Sequence, residues 1–177
     1  MPGKVKTRLG LEPEEAARLH ERFVRETLRL VAPLGNVELW TDAPTAQWGE
    51  GGLQCEGDLG TKMLDALRSR PTPVMIVGSD APDVPVEFLS ELLRLECDVA
   101  LGPATDGGFY AIACRRTHAD MFARVEWSTA QTRSRTVAAC EACGLTVALG
   151  REWRDIDTPE DLKRYLIGHG HEKTRCG

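Results

Sequence analysis

The first part of the chain has apolar residues at the spacing of an amphipathic helix. Over residues 13–32, positions such as Leu19 and Phe23 recur every three or four residues. A proline in the first turn, two glutamates after it and Gly35 beyond the last turn are typical helix boundaries. The pattern therefore predicts a long first helix with one buried face.

Short apolar runs alternate with amphipathic stretches along the rest of the chain. The continuous run Val74–Val77 predicts a buried, central, parallel strand covered on both faces, with Asp80 at its carboxyl end. Other strands are predicted over residues 37–41, 53–56, 99–101, 109–113 and 145–149, and helices after Asp58, over 86–95, from Ser128 to Cys143 and from 157 onward. This alternation predicts an α/β layer fold that binds ligands beyond the carboxyl ends of its strands.

Composition and charge narrow the classes of function. The chain has 177 residues, 42 % of them hydrophobic and 28 % charged, which is the balance of one globular domain. The net charge of −5 argues against nucleic acid or an anionic membrane as a partner. No apolar run is long enough to span a bilayer, and the first residues do not resemble a secretory signal. We therefore expect a cytoplasmic protein without a membrane span, and a homodimer stays open.

The cysteines are expected to be structural. Without an export signal, the six cysteines are predicted to be free thiols. Cys140 and Cys143 have the CxxC spacing, but they close a predicted helix just before Gly144. Reactive pairs usually lie at a helix N-terminus, where the dipole lowers the thiol pKa. We expect ordinary reactivity for both, which leaves a thiol redox protein as the weakest hypothesis.

A basic segment near the start of the chain has the residue types of a phosphate site. Lys4, Lys6 and Arg8 follow Gly3 and precede the first helix. Cations beside a glycine can cradle phosphate groups. A solvated basic terminus is the alternative interpretation.

Two acidic segments have the residue types of a metal site. The carboxylates of Asp80 and Asp83 directly follow the best predicted strand, and Asp155 and Asp157 point to one side if their segment is extended. Carboxylates are the ligands that hard divalent cations prefer. The alternatives are an Asp-Pro turn at the first segment and a helix cap formed by Asp157 at the second.

The motifs taken together resemble a bacterial glycosyltransferase-like family, "transferase 1", of the DUF2064 type. The family is related to the deazaflavin-cofactor (2-phospholactate) guanylyltransferases. Its patterns are PGxVKTRL, QxxGDLGxRM, GSDxPDLP, GPAxDGGYY, WST and DVDTPEDL. This sequence has PGKVKTRL, QCEGDLGTKM, GSDAPDVP, GPATDGGFY, WST and DIDTPEDL in the same order. The resemblance covers roughly residues 2–165.

The resemblance implies a GT-A fold of the nucleotide-diphospho-sugar transferase superfamily. This is a Rossmann-like α/β sandwich with a mixed, mostly parallel sheet and helices on both faces, here over residues 1–167 with a tail at 168–177. In the family an apolar strand precedes the basic loop. Because this sequence starts inside that loop, we expect the usual first strand to be absent. Lys62 replaces the family's arginine, which keeps the charge but not the bidentate geometry.

The resemblance also implies roles for individual residues. Asp80 and Asp106 would be catalytic, and Asp80 would share a Mg²⁺ or Mn²⁺ ion with Asp155 or Asp157. The nucleotide and its phosphates would be bound by Gly3, Lys4, Lys6, Arg8, Gln54, Asp58 and Gly60. The acceptor would be bound by Gly107, Gly108, Trp127 and Ser128.

The resulting hypothesis is a metal-dependent transferase that uses a nucleotide or nucleotide-sugar donor and a small-molecule acceptor. The family favours glycosyl transfer, whereas the basic segment suits a triphosphate and favours nucleotidyl transfer with release of pyrophosphate. The sequence leaves both open. A truncated, non-catalytic nucleotide-binding remnant is the competing class, because the first strand is expected to be absent.

Overall fold

The structure, a computed structural model, describes residues 9–43 and 51–170. Within these ranges the helices are α1 (Pro13–Val31), α2 (Leu59–Arg68), α3 (Val86–Arg94), α4 (Thr132–Ala142) and α5 (Pro159–Gly170), with a 3-10 turn at Ala32–Leu34 after α1. The strands are β1 (Trp40–Thr41), β2 (Gly52–Leu53), β3 (Val74–Val77), β4 (Val99–Pro103), β5 (Phe109–Cys114) and β6 (Val147–Leu149). This alternation confirms the predicted α/β class.

Four of the strands form one mixed sheet in the order β3-β5-β4-β6. The strand β5 is antiparallel to both of its neighbours, and β6 is parallel to β4. Three strands therefore run in one direction, as the prediction of a mixed, mostly parallel sheet requires. The short strands β1 and β2 form a separate parallel pair.

Side chains of alternating strand positions fill two cores, one on each face of the sheet. On one face Leu101 and Ile112 pack with Leu67 of α2 and with residues of α4. On the other face Ala100 packs with Leu92 of α3 and with the end of α1. Because successive strand residues point to opposite faces, the two cores confirm the predicted helices on both sides.

A third core joins α1 to α5. The rings of Phe23 and Tyr165 meet edge to face at 5.2 Å, and both side chains are fully buried. The Tyr165 hydroxyl donates a hydrogen bond to Glu26. Ile156, just before α5, is also fully buried here. This core therefore fixes the chain that enters α5.

Among the residues that the structure describes, the strand β3 is not central, which corrects the sequence prediction. It is the terminal strand of the four-stranded sheet, it pairs antiparallel with β5, and its four residues are half-buried. The alternate residues Val74 and Ile76 pack on one core, and Met75 and Val77 on the other. An apolar run indicates that both faces of a strand are covered, as they are here. It does not indicate which strands pair with it.

Several element boundaries also differ from the predictions. Ser128 does not cap α4: it has φ +60°, and the helix begins only at Thr132, whose hydroxyl donates to the carbonyls of Glu126 and Thr129. The strands expected over 37–41, 53–56 and 145–149 are shorter. Helix α5 extends to Gly170, into the segment predicted as a tail. None of the helices in the described ranges is long and apolar enough to cross a membrane.

The thiol of Cys140 is fully buried on the inner side of α4. Burial raises the pKa of this thiol to about 12, and burial does the same to Cys114 in β5. Cys143 is the C-terminal cap of α4 and is half-buried. The pair lies at the end of a helix, as predicted from sequence, where the dipole does not favour a thiolate.

We therefore expect Cys140 to resist alkylation in the native protein. A raised pKa leaves almost no thiolate at neutral pH, and burial blocks access of the reagent. Treatment with iodoacetamide at pH 7.5, followed by peptide mass spectrometry, should modify the half-buried Cys55 well before Cys140. After unfolding in urea the two should react at similar rates. Equal rates in the native protein would contradict the structural role.

Candidate functional site

Three loops that contain the sequence motifs lie at one end of the sheet. Residues 78–85 follow β3, residues 104–108 join β4 to β5, and residues 150–158 follow β6. Because β3, β4 and β6 run in the same direction, all three loops lie at the same end. We call it the carboxyl end of the sheet, and it is where ligands of α/β folds bind.

The segment 150–157 crosses this end from one edge of the sheet to the other, and we call it the crossing segment. It first follows β4: the amide of Gly150 donates to Leu101 O at 2.8 Å, and the amide of Trp153 donates to Pro103 O at 2.9 Å. It then reaches the loop after β3, where the amide of Ile156 donates to Asp80 O at 2.9 Å. Asp80 is thus one hydrogen bond from the residue between Asp155 and Asp157.

A second connection between the same segments runs through Asp83. Its carboxylate accepts from Trp153 Nε1 at 3.1 Å through Oδ1 and from Arg154 Nη2 at 2.8 Å through Oδ2. The Asp83 side chain is only 6 % exposed. The Trp153 ring packs edge to face on Phe88, and Tyr110 donates from its hydroxyl to Arg151 O.

No role was predicted from sequence for Trp153 or Tyr110. Asp83 was grouped with Asp80 as a carboxylate pair that could hold a hard divalent cation, whereas its carboxylate accepts from Trp153 and Arg154. The available signal was that Asp83 stands three residues after Asp80 in the same acidic motif. Its partners are about seventy positions away, and no local pattern indicates which distant residues a carboxylate contacts.

The carboxylate oxygens at the carboxyl end of the sheet suit a hard cation that keeps part of its hydration shell. Carboxylate oxygens such as those of Asp80, Asp155 and Asp157 are the ligands Mg²⁺ prefers. Among residues 9–43 and 51–170, however, no group of three or more His, Cys, Asp or Glu side chains could hold a metal ion. Mg²⁺ commonly takes one or two carboxylates and completes its shell with water and substrate phosphates, and the residues present fit that mode.

Asp157 is not the cap of α5, so that alternative interpretation is wrong. The residue before the helix is Thr158, whose amide donates to Asp161 Oδ2 at 3.0 Å, while the Asp161 amide donates to Thr158 Oγ1 at 3.2 Å. This reciprocal pair is a capping box. Burial alone would raise the pKa of the Asp161 carboxyl, but its hydrogen bonds from Thr158 hold the pKa below the ordinary value.

Residues predicted to bind the nucleotide and the acceptor meet at the start of α2. Asp58 is the helix cap and accepts from the Thr61 hydroxyl and amide, which lower its pKa. A Cβ on Gly60 would lie 2.8 Å from the Trp127 ring and 3.0 Å from Phe122. Trp127, predicted on the acceptor side, therefore packs directly on Gly60, predicted on the nucleotide side.

The loop after β4 is held by the first turn of α4. Asp106 accepts from the Gly108 amide at 2.8 Å, and the Arg133 amide donates to Gly107 O at 2.9 Å. Arg133 also donates from Nη1 to Ala104 O at 3.2 Å. Asp106 is exposed in this loop at the carboxyl end of the sheet, and the backbone of the loop is fixed by these hydrogen bonds.

Two further predicted residues, Gln54 and Ser128, take no part in the contacts described above. The side chain of Gln54 donates from Nε2 to Trp40 O at 3.2 Å and so joins β1 to the chain after β2. Ser128 is exposed in the turn before α4. Gly3, Lys4, Lys6 and Arg8 lie outside the described residues, and their phosphate role stays a prediction.

Comparison with known proteins agrees with this architecture. Residues 17–129 match the family described as "Uncharacterized protein conserved in bacteria (DUF2064)". The chain belongs to the DUF2064 family. The matched range contains Gln54, Asp58, Gly60, Asp80 and Asp106, while the crossing segment lies beyond it.

Two relatives of this DUF2064 protein have assignments. A 2-phospho-L-lactate guanylyltransferase from Methanocella arvoryzae (strain DSM 22066 / NBRC 105507 / MRE50) is 31 % identical over 115 residues, which are 63 % of this chain and 52 % of that protein. The chain thus spans about half the length of this curated relative. A crystal structure from Desulfovibrio desulfuricans G20, provisionally assigned as a nucleotide-diphospho-sugar transferase, matches with a TM-score of 0.84 and 30 % identity.

That structural match covers 99 % of this chain and 84 % of the other. The fold of this DUF2064 protein is therefore the nucleotide-diphospho-sugar transferase fold that its motifs predicted.

The glycine at 107 is expected to be required for the loop after β4. It has φ +92°, and a Cβ there would lie 2.2 Å from Ala130 O. Gly144, with φ +71° and open space around its Cβ position, is a matched control. Gly144→Ala should lower the free energy of unfolding by about 1–2 kcal/mol, because alanine disfavours left-handed backbone. Gly107→Ala should lower it by about 1–3 kcal/mol more, because its Cβ overlaps Ala130. Urea unfolding measures both. Equal losses would show that the contact with Ala130 relaxes freely.

Proposed function

We propose that this protein is a nucleotide-dependent transferase whose site lies at the carboxyl end of the sheet. Asp80, with Asp155 or Asp157, would hold a Mg²⁺ or Mn²⁺ ion against the phosphates of the donor. The observation that carries the proposal is the hydrogen bond from Ile156 to Asp80, which brings the two acidic segments together. The fold of the chain and its guanylyltransferase relative support the assignment as a transferase.

The acidic residues suit phosphate chemistry for an electrostatic reason. Nucleotidyl and glycosyl transfer both develop negative charge on phosphate oxygens, and a bound divalent ion neutralises that charge. The carboxylates fix the position of the cation, and the exposed Asp106 lies at the same end of the sheet, where it would face the acceptor. Lys4, Lys6 and Arg8 would add positive charge on the phosphate side.

Nucleotidyl transfer is the form that we favour, because the curated relative is a guanylyltransferase. In this reaction an acceptor phosphate oxygen forms a bond to the α-phosphorus of a nucleoside triphosphate. The bond from that phosphorus to the bridging oxygen breaks, and pyrophosphate leaves. The acceptor is a small anionic molecule, which a site with basic residues can bind.

Glycosyl transfer is the second candidate, because the matched crystal structure carries the provisional assignment of a nucleotide-diphospho-sugar transferase over nearly the whole chain. An acceptor oxygen would then bond to the sugar carbon, and a nucleoside diphosphate would leave. The charge that the site must stabilise is again on the diphosphate.

The two candidates differ in their donors and in their products. A thermal-shift panel of nucleoside triphosphates and nucleotide sugars, each with Mg²⁺, Mn²⁺ or EDTA, identifies the donor that binds. Incubation with candidate acceptors, followed by ³¹P NMR, then identifies the leaving group. Pyrophosphate indicates nucleotidyl transfer, and a nucleoside diphosphate indicates glycosyl transfer. Metal-dependent binding without any product would favour a non-catalytic nucleotide-binding protein.

Asp80→Ala should weaken Mn²⁺-dependent nucleotide binding by at least about tenfold. Loss of a residue that only hydrogen-bonds to a metal ligand already lowers metal affinity by about that factor, and Asp80 would be a ligand itself. The side chain is exposed, so the fold should lose no more than about 0.5 kcal/mol. Isothermal titration with Mn²⁺ and the donor from the panel measures the first effect, and urea unfolding measures the second.

The matched control is Asp120→Ala, which removes another exposed carboxylate, in the segment that follows β5 from the opposite end of the sheet. It should leave both measurements unchanged. Undiminished Mn²⁺ and nucleotide affinity in Asp80→Ala would place the metal site elsewhere.

A further inference from the structure

Asp83 contacts the crossing segment with both oxygens of its carboxylate. Oδ1 accepts from Trp153 and Oδ2 from Arg154, at 3.1 and 2.8 Å. We propose that Asp83 is a positioning residue that holds the crossing segment on the loop after β3, so that Asp80 and Asp155 or Asp157 share one cation. This inference rests on the proposed function, and it adds a residue that touches neither cation nor substrate.

The burial of Asp83 explains why its two partners matter. A carboxylate that is 6 % exposed has few water contacts, and it is stable only when charged or strongly polar donors satisfy it. Arg154 supplies the charge and Trp153 the second donor. These partners are consecutive in the chain, so one carboxylate fixes two successive residues of the crossing segment.

The Asp83 contact can position the acidic site because of where it lies along the crossing segment. Trp153 is already held by two backbone hydrogen bonds, from its amide to Pro103 O of β4 and to its carbonyl from the Thr105 amide in the loop after β4. Ile156 is the residue whose amide reaches Asp80. Arg154 lies between these two points, next to Asp155. The ion pair with Asp83 therefore fixes the chain just before the carboxylates that must face Asp80.

The substitution Asp83→Asn separates the ion pair from the contact with Trp153. Asparagine has the same shape and can still accept from Trp153 through its amide oxygen. Its amide nitrogen would meet Arg154 Nη2 donor to donor, so the ion pair is lost. We expect the Ile156 amide to exchange with solvent at least about tenfold faster relative to Ile112 in β5, and the Mn²⁺ affinity to fall about 10–100-fold.

A matched control is Asp98→Asn at the opposite end of the sheet. The Asp98 side chain is 16 % exposed, pairs with Arg116 at 3.2 Å and accepts from the Thr146 amide at 2.8 Å. Its loss should lower global stability without a specific effect on the Ile156 amide. In this variant the exchange ratio of Ile156 to Ile112 and the Mn²⁺ affinity should stay at the parent values.

The double variant Asp83→Asn with Arg154→Met tests whether Asp83 only neutralises a cation. Met removes the unpaired charge and keeps an apolar stem, so the urea midpoint should recover from that of Asp83→Asn. Positioning needs the ion pair itself, so fast exchange at Ile156 and weak Mn²⁺ binding should persist. Recovery of all three measurements would overturn the proposal.

The measurements are hydrogen exchange followed by NMR, urea unfolding, and titration of the full chain with Mn²⁺, both alone and with the donor that the thermal-shift panel identifies. Exchange at Ile156 in Asp83→Asn that rises no more than in Asp98→Asn would also overturn the positioning role. Failure of the proposed function has a different signature. The parent protein would then bind no Mn²⁺ even with nucleotide, while the exchange ratio would still decide whether Asp83 holds the segment.

Discussion

The crossing segment is the part of the chain on which the arrangement at the carboxyl end of the sheet depends. Its backbone continues the parallel pairing of β6 with β4 and then leaves the sheet to reach the loop after β3. Ile156 is buried in the core between α1 and α5 at the point of arrival. Hydrogen bonds to β4 therefore hold the start of this short segment, and apolar burial of Ile156 holds its end. Neither end can shift without disturbing the other.

The acidic site is consequently supported by groups that are not themselves acidic ligands. Tyr110 illustrates the point: its ring lies where a Cβ on Gly102 would overlap it at 2.4 Å, and its hydroxyl holds Arg151 O. The absence of a side chain at Gly102 lets the ring cross β4 and reach the crossing segment. A residue in the core of the sheet and a glycine opposite it thus help to position carboxylates several residues away.

Local sequence patterns were enough to predict most helices and strands, and to predict at which end of the sheet the motifs lie. The spacing of apolar residues predicted α1 and α3 almost to their ends, and Asp58 was correctly predicted as a helix cap. The neighbours of β3 could not be predicted, because its apolar run describes the two faces and not the edges. The start of α4 was misplaced at Ser128 because a serine before a helix is a frequent cap. Its backbone is left-handed here, since Thr129 and Thr132 form the turn.

The contacts of the candidate site could not be predicted from sequence for a different reason. The packing of Trp127 on Gly60 and the bonds of Asp83 join residues far apart in sequence, and periodicity contains no information about such pairs. The motif resemblance indicated that these residues belong to one region. It did not indicate that Gly60 packs on Trp127 in addition to its expected binding role.

The sequence separation of the Asp83 contacts, 70 and 71 positions, has a consequence for folding. Contacts this distant close a large loop and form only when most of the chain is already ordered. Closing this loop costs conformational entropy, so the two acidic segments meet far less often in the unfolded ensemble than in the folded chain. A ligand that binds this site only in the folded chain would raise the free energy of unfolding by RT ln(1 + L/Kd), where L is its free concentration, so its stabilising effect would grow with that concentration.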